Sequence, residues 1–437
     1  MATIKAFRAV RYGAKQGGDL SAVVAPPYDV LDEAGKKKLL GRSPVNIVDI
    51  DLPFLPAKQV GPDPVYVAAA ATLSKWLADG TLVRDEQPAI YAYTQVFTHR
   101  GREYRRRGFF ATVNLEPFHT PAAPTQVVPH EKTYASAIED RLKLTRATGV
   151  QLSPIFGLFP DAQGTVNDAV YRGLGDPPIR ATLDGVESQL WPVTDPEVQR
   201  QVIEAMRDKK VYIADGHHRY TTALAYQQEQ REKAGGTLPA DHPANWCLFV
   251  LLSMHDPGCV ILPTHRIVGG LTSFDLTTLR ERLAGVFEVV PAGFEVGQIG
   301  AFEESLAREP GTAFGLYDGK TRQLFTLRLT KPDVLAALEP GQSEAWRCLD
   351  VAILRRYLLD EVIGPTFAGG EVKLAYTADA TEVPGMTDGV AYPLALILRP
   401  TPLKALEDLG VYGEVMPQKS TFFYPKLATG LVINPVS

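Results

Sequence analysis

Cysteine is scarce in this chain. Three residues (Cys247, Cys259 and Cys348) among 437 are too few for a disulfide framework and lack the paired spacing of metal ligands. Eight histidines are present, yet none forms His-x-x-x-His or His-Glu-x-x-His, so structural zinc is not expected. No apolar run approaches the roughly 18–20 residues that cross a bilayer, and the opening MATIKAFRAVRYG lacks the apolar stretch of a secretory leader. A basic excess is missing too: Asp and Glu number 50 against 45 Lys and Arg, a formal net charge of −5. Overall charge therefore gives no grip on nucleic acid, and a local basic patch is the most that remains. The expectation is a cytoplasmic protein with no membrane partner and no tight nucleic-acid partner. No repeat or low-complexity tract is visible.

What is present is core. With 45% hydrophobic residues, the chain can bury a large interior and split into two or three domains. In residues 65–82, VYVAAAATLSKWLADGTL, the apolar spacing predicts a helix ending at Asp79-Gly80. Residues 89–115 read as a β-hairpin with His99-Arg100-Gly101 at its tip. A Pro-rich connector (116–128) precedes a helix from about Ser136 to Thr148, and a strand at 153–159 follows. A helix at 196–210 leads into an apolar run ending at Asp215. NWCLFVLLSM and CVILPTHRIV (245–268) read as paired strands across His255–Gly258. Beyond about 271, helices and strands suggest an α/β sandwich of their own. The expected organisation is an N-terminal α+β region (1–115), a nucleotide-site core (116–270) and a C-terminal sandwich (271–437), in an α/β or α+β fold.

One junction concentrates chemistry. KVYIADGHHRYTTAL passes from a β-branched run to good helix formers through Asp215-Gly216-His217-His218-Arg219. The first N–H groups of a helix have no intrahelical partner, and the dipole adds positive character there. Gly216 would let an anionic oxygen approach the backbone. Arg219 offers a planar fork, while His217, His218 and Thr221 add donors. Asp215 does not suit an anion site; beside phosphates its work would be to hold Mg²⁺ or orient a nucleophile. The bland alternative is that Asp215 merely caps the helix.

Other candidates are looser. His130-Glu131-Lys132 lies on a loop after the connector, where Glu131 could act as general base with His130 beside it and Lys132 could neutralise phosphate. Lys419, Ser420 and Thr421 in MPQKST suggest a P-loop, but the second glycine is missing and a proline-bearing β-prone run follows, so it is not one. Those side chains, and Lys426, could still reach a phosphate. Tyr28 and Asp29 after Pro26-Pro27, and His265 with Arg266 in LPTHRIV, are candidate substrate contacts. Each reads equally as a structural turn or ion pair.

The stretch ADGHHRYTTAL resembles the phosphate-binding turn of the ParB/sulfiredoxin superfamily, in the Asp-Gly-His-His-Arg form of its free-serine kinases. VVAPPYDVL, PHEKT, ADGHHRY, LPTHR and MPQKSTFFYPKLATGLVI together resemble the family called domain of unknown function 1015. These resemblances imply a ParB/sulfiredoxin-like core and a nucleotide-dependent kinase acting on a small hydroxylated metabolite such as free serine. ATP or ADP would be the donor, with Mg²⁺ at Asp215. The alternatives are a nucleotide-gated, partition-like DNA switch and a non-catalytic nucleotide sensor.

Overall fold

In a computed structural model, which describes residues 3–437, the chain divides into two compact units. One comprises 1–260 together with 425–437, the other 261–424. The sheet of the first unit runs across the boundary expected at 115/116. The segment expected to be wholly C-terminal returns its last residues to the first unit.

The first unit is built on a nine-stranded sheet. Its strands are β1 (Ile4–Lys5), β2 (Ile90–His99), β3 (Arg102–Asn114), β4 (Val127–Val128), β5 (Ile155–Phe159), β6 (Ile179–Leu183), β7 (Val186–Val193), β8 (Val211–Asp215) and β9 (Trp246–Ser253). They lie in the order β4-β8-β5-β9-β3-β2-β7-β6, with β1 on β3. The pairs β8/β4 and β9/β5 are parallel and the remainder antiparallel. The β2–β3 hairpin forms as the alternation predicts, because Arg100 and Gly101 both take positive φ at its tip. Helices Asp63–Ala78 and Ala135–Thr148 also form close to their expected bounds. Gly149, left-handed at φ +67, ends the latter.

The central strands are apolar on both faces, as strands covered on both sides must be. Phe109, Ile155, Phe159, Val211, Ile213 and Phe249 are buried together with Tyr220 and Ala223 of helix His217–Lys233. That packing fixes the helix against the sheet and so sets where its first turn lies. Between Ile213 and Asp215 the register against β5 slips, an irregularity of the kind that re-aims a side chain at a strand end.

The second unit carries a six-stranded antiparallel sheet. Its strands are β10 (His265–Gly269), β11 (Phe287–Pro291), β12 (Ala313–Asp318), β13 (Gln323–Leu329), β14 (Lys373–Thr377) and β15 (Leu394–Ile397). Its core gathers Ile267, Phe302, Leu306, Tyr317 and Ile397. A π-helical segment, Leu354–Ala368, continues the short helix Asp350–Ile353. The pairing expected between 246–253 and 260–268 does not occur. β9 joins the first unit's sheet and β10 the second's, since the chain crosses between units at 260/261.

Candidate functional site

The strand-to-helix junction is built from the backbone outward. Gly216 sits at φ +99, ψ 26, a conformation that side-chain-bearing residues rarely adopt, and no side chain caps the helix that follows. A Cβ at this position would lie 3.0 Å from Arg219 Nε, so Arg219 folds back over the turn. Its Nη1 donates to the carbonyl of Pro154, and its Nη2 lies 3.7 Å from Asp215 Oδ1. The other carboxylate oxygen of Asp215 accepts from Lys426 Nζ at 3.1 Å. Burial acts to raise the pKa of Asp215, but Lys426 and Arg219 outweigh it and hold the carboxyl well below the usual range. Asp215 is therefore an anion between two cations.

Lys426 reaches this position because the C-terminal segment is clamped. Arg106 Nη2 donates to Pro425 O at 2.7 Å and Gln95 Nε2 to Lys426 O at 3.2 Å. The Arg106 guanidinium lies 4.9 Å from the ring centroid of Phe156 and 5.9 Å from that of Phe97. Burial pushes its pKa down to about 10.

The two histidines do not act as expected. His217 is buried, and its Nε2 accepts from the His130 backbone N–H at 3.1 Å. His218 Nε2 accepts from the Tyr134 N–H at 3.1 Å, and its ring stacks on Tyr134 with centroids 5.7 Å apart. An accepting nitrogen carries no proton. Burial first, then the neighbouring ring of His130, pushes His217 well below its ordinary pKa; burial and then Lys58 lower His218. These imidazoles are neutral anchors that hold the loop 129–134 against the helix start, not cationic phosphate donors. His130 donates from Nδ1 to Ile213 O at 2.6 Å and is itself buried, which lowers its pKa. The loop so held carries Glu131, half-buried, and Lys132, exposed. Glu131 is near enough for its charge to act on His130. The Thr221 hydroxyl donates to His217 O at 3.1 Å within the helix, so its proton is already used.

Tyr28 and Asp29 form a short turn, Tyr28–Val30, in the same unit. Asp29 Oδ2 lies 3.3 Å from Lys58 Nζ, and both charges act on His218. Tyr28 is buried under Arg141, whose guanidinium carbon stands 3.9 Å from the ring centroid. Burial raises the Tyr28 pKa against the pull of Arg141.

Sequence reasoning passed over what Arg141 belongs to. Its Nε donates to Asp140 Oδ2 at 2.8 Å and its Nη1 to Asp51 O at 2.6 Å. Ser153 Oγ donates to Asp51 Oδ2 at 2.9 Å, and Tyr66 donates to Asp140 Oδ1 at 2.7 Å. Burial lifts the Asp51 pKa above the ordinary carboxylate value, opposed by Arg141 and Ser153. A cavity of about 50 Å³ lies among Tyr28, Asp51, Arg141, Ser153 and Arg219. The one signal in the sequence was the adjacent Asp140-Arg141 pair, which reads as solvated charge unless its burial is known.

His265, Arg266, Lys419, Ser420 and Thr421 belong to the second unit. His265 is wholly buried, its Nδ1 accepting from Leu398 N–H at 3.2 Å with Glu303 at 3.9 Å from Nε2, so it is core and not a substrate contact. The Ser420 hydroxyl donates to Pro417 O inside its own loop. Lys419 is exposed and Thr421 half-buried.

For Mg²⁺ the fit is narrow. Among the described residues no three His, Cys, Asp or Glu side chains gather closely enough to hold a metal. The ionised Asp215 could supply one oxygen, and phosphate oxygens and water would have to provide the rest, as is common for this ion. Among the described residues no helix is long and apolar enough to cross a membrane.

The sequence profile of a family described as "Protein of unknown function (DUF1015)" matches residues 4–352. No curated protein matches the chain. Among solved structures, a free serine kinase variant in complex with AMP is similar at 16% identity, covering 70% of this chain and 89% of that one with a TM-score of 0.33. A conserved hypothetical protein from Pyrococcus furiosus is similar at 17% identity over 70% and 92% of the two chains, TM-score 0.31. C-terminally truncated SbnI from Staphylococcus aureus follows at 13% identity over 71% and 84%, TM-score 0.34. Likeness at this level does not carry those proteins' activities over to this chain.

Proposed function

The chain belongs to the DUF1015 family, and from that premise we propose that its first unit binds a nucleoside di- or triphosphate and transfers a phosphoryl group to a small hydroxylated metabolite. One observation carries the reading: the helix His217–Lys233 begins on a left-handed glycine with no side-chain cap, and Arg219 and Lys426 converge on the ionised Asp215 beside it. Main-chain N–H groups and the helix dipole favour an anion there, and two cations are already present. A nucleotide phosphate would take over Arg219 and Lys426 and release Asp215 to a phosphate-borne Mg²⁺. When bound, that ion would neutralise charge on the transferring group.

In this reading Gly216 lets phosphate approach the backbone, and His217, His218 and His130 fix the loop that presents Glu131 and Lys132. Glu131 accepts the proton of the acceptor hydroxyl, and Lys132 meets phosphate from the solvent side. The Tyr28-Asp29 turn and the cavity beside Asp51, Arg141 and Ser153 form the acceptor side, where a substrate carboxylate would have to share Arg141 with Asp51 and Asp140. Free serine, which the Asp-Gly-His-His-Arg resemblance suggests, meets those demands, having one carboxylate and one hydroxyl.

A second reading, a nucleotide sensor without turnover, draws on the same Asp215, whose charge two cations already neutralise. A partition-like DNA switch has less support. Among the described residues, helix 217–233 is followed by a loop, a single 3-10 turn at Pro243–Asn245 and then strand β9, so no second α-helix follows it to complete a helix-turn-helix.

The test is calorimetric titration of the full chain with ADP and with ATP in the presence of MgCl2, followed by phosphorus NMR with amino acids and polyols as acceptors. Binding with transfer to a hydroxyl is expected. Binding without transfer to any acceptor selects the sensor, and absence of nucleotide binding overturns both.

A further inference from the structure

The second unit contains a cavity of about 510 Å³, well within the size range of small-ligand sites. Its walls include Arg266, Leu354, Arg355, Glu371, Tyr376 and Gln418. The two arginines come from separate elements, Arg266 from β10 and Arg355 from the start of the π-helical segment. π-Helical turns are uncommon and recur at functional sites.

Arg266 is only 3% exposed, yet it faces this space. Its guanidinium is held by main-chain oxygens: Nη1 donates to Thr264 O, and Nη2 to Lys419 O at 3.0 Å. The Tyr376 ring centroid stands 5.5 Å from its central carbon. The segment it grips is itself constrained. Lys419 takes φ +58, a left-handed conformation without glycine, and backbone strain of this kind collects at ligand clamps. Arg355 stands at the mouth, with Nε 3.2 Å from Asp360 and Nη2 3.3 Å from Glu371 at a half-exposed position, so a stronger anion can draw its fork away from Glu371.

We propose that this cavity is a binding site for a small organic oxyanion, a metabolite bearing a carboxylate or phosphate that Arg266 and Arg355 clamp between them. Guanidinium forks match the planar geometry of both groups. The body of the ligand rests on Leu354 and Tyr376, and Glu371 is placed to accept from a hydroxyl or amine. The site does not depend on nucleotide binding by the first unit.

The experiment is calorimetric titration of the full chain, saturated with ADP and free of phosphate buffer, with citrate, glycerol 3-phosphate and inorganic phosphate in turn. Citrate alone would identify a carboxylate site, and glycerol 3-phosphate with inorganic phosphate a phosphate site. At least one probe is expected to bind, with affinity falling about tenfold or more in Arg355→Ala and in Arg266→Gln. ADP affinity should not change in either variant. Should Arg266→Gln fail to fold, Arg355→Ala decides alone. No heat with any probe up to about 10 mM overturns the proposal, as does binding that Arg355→Ala leaves intact.

Discussion

Two short turns in this chain carry the residue types of a phosphate cradle, and their backbones use them differently. At Asp215–Arg219 the left-handed residue is Gly216, and a 17-residue helix begins with no side-chain cap hydrogen bond. At Pro417–Ser420 the left-handed residue is Lys419, and the segment continues into a strand, Phe422–Tyr424. A helix start gathers several N–H dipoles at one point, whereas a strand sends successive N–H groups to opposite sides. The hydroxyls do not separate the two turns, since Ser420 and Thr221 each donate within their own segment; the charge does, because Arg219 and Lys426 gather on Asp215 at the first turn. Lysine, serine and threonine in a row thus say little about phosphate until the backbone that presents them is known.

The largest test of this contrast is at Glu131, on the loop that the two histidines pin to the helix start. Glu131→Gln keeps the size and removes the base. Steady-state phosphoryl transfer should fall by about 10²–10⁴ in kcat while nucleotide affinity stays within about twofold, since a general base acts in the transition state. Near-full transfer by the variant would move the base to Asp215 or Asp29.

Gly216→Ala probes the backbone itself. The alanine must adopt φ +99, and its Cβ meets Arg219 Nε at 3.0 Å. A loss of about 2 kcal/mol in unfolding free energy is expected from left-handed strain, together with weaker nucleotide binding. Urea denaturation followed by fluorescence measures the first; an unchanged midpoint would show that the turn tolerates a side chain.

Lys426→Met removes one of the two cations at Asp215. Nucleotide affinity should drop about tenfold, roughly 1.4 kcal/mol. Gln95→Leu, which loosens the clamp on Lys426 O without touching the ammonium, should lower affinity less and leave the salt dependence of binding unaltered. Equal effects of the two variants would mean that the tail serves stability and not the site.

Local periodicity made much of the first unit legible: the 63–78 helix, the 90–114 hairpin and the 135–148 helix follow from alternation, helical spacing and glycine stops. The strand-to-helix junction was legible because a β-branched run gives way to helix formers at Gly216. Pairing between distant segments was not. Nothing local tells β9 to join β3 and β5 while the next strand joins another sheet, and nothing in YPKL states that Pro425 will be bound by Arg106. The roles of His217 and His218 depended on which N–H each ring faces, and that is set by the loop at 130–134. Asp51 and Arg141 stayed hidden because burial, not residue type, makes them a network.

Acid sharpens the same point. His130 and His217 are buried, and both are lowered below the ordinary 6.5, His217 strongly. Above that value both are neutral in the folded and unfolded chains, so their contribution is fully present. As pH falls below about 6.5, the unfolded chain takes up protons that the folded chain refuses, and stability declines by up to about 1.4 kcal/mol per pH unit for each ring. Asp51, raised by burial, works the other way at lower pH by binding its proton first in the folded state. Urea midpoints between pH 7.5 and 5 should therefore fall, and His217→Gln should flatten the slope. An identical slope in that variant would mean that His217 is protonated in the native chain.

The smallest effect is expected where the comparison began, at the left-handed lysine. Lys419→Gly relieves strain at φ +58, for which left-handed backbone typically costs about 1–2 kcal/mol in a residue with a Cβ. It also loosens the unfolded chain, and that added entropy takes back about 0.5–1 kcal/mol. The two changes nearly cancel, so the urea midpoint should move little and upward if at all. Nucleotide affinity should stay within about twofold, because this turn opens no helix and so gathers no N–H dipoles for the ammonium to assist. A tenfold loss of nucleotide affinity in Lys419→Gly would give the lysine a phosphate after all. It would then erase the distinction between the two turns.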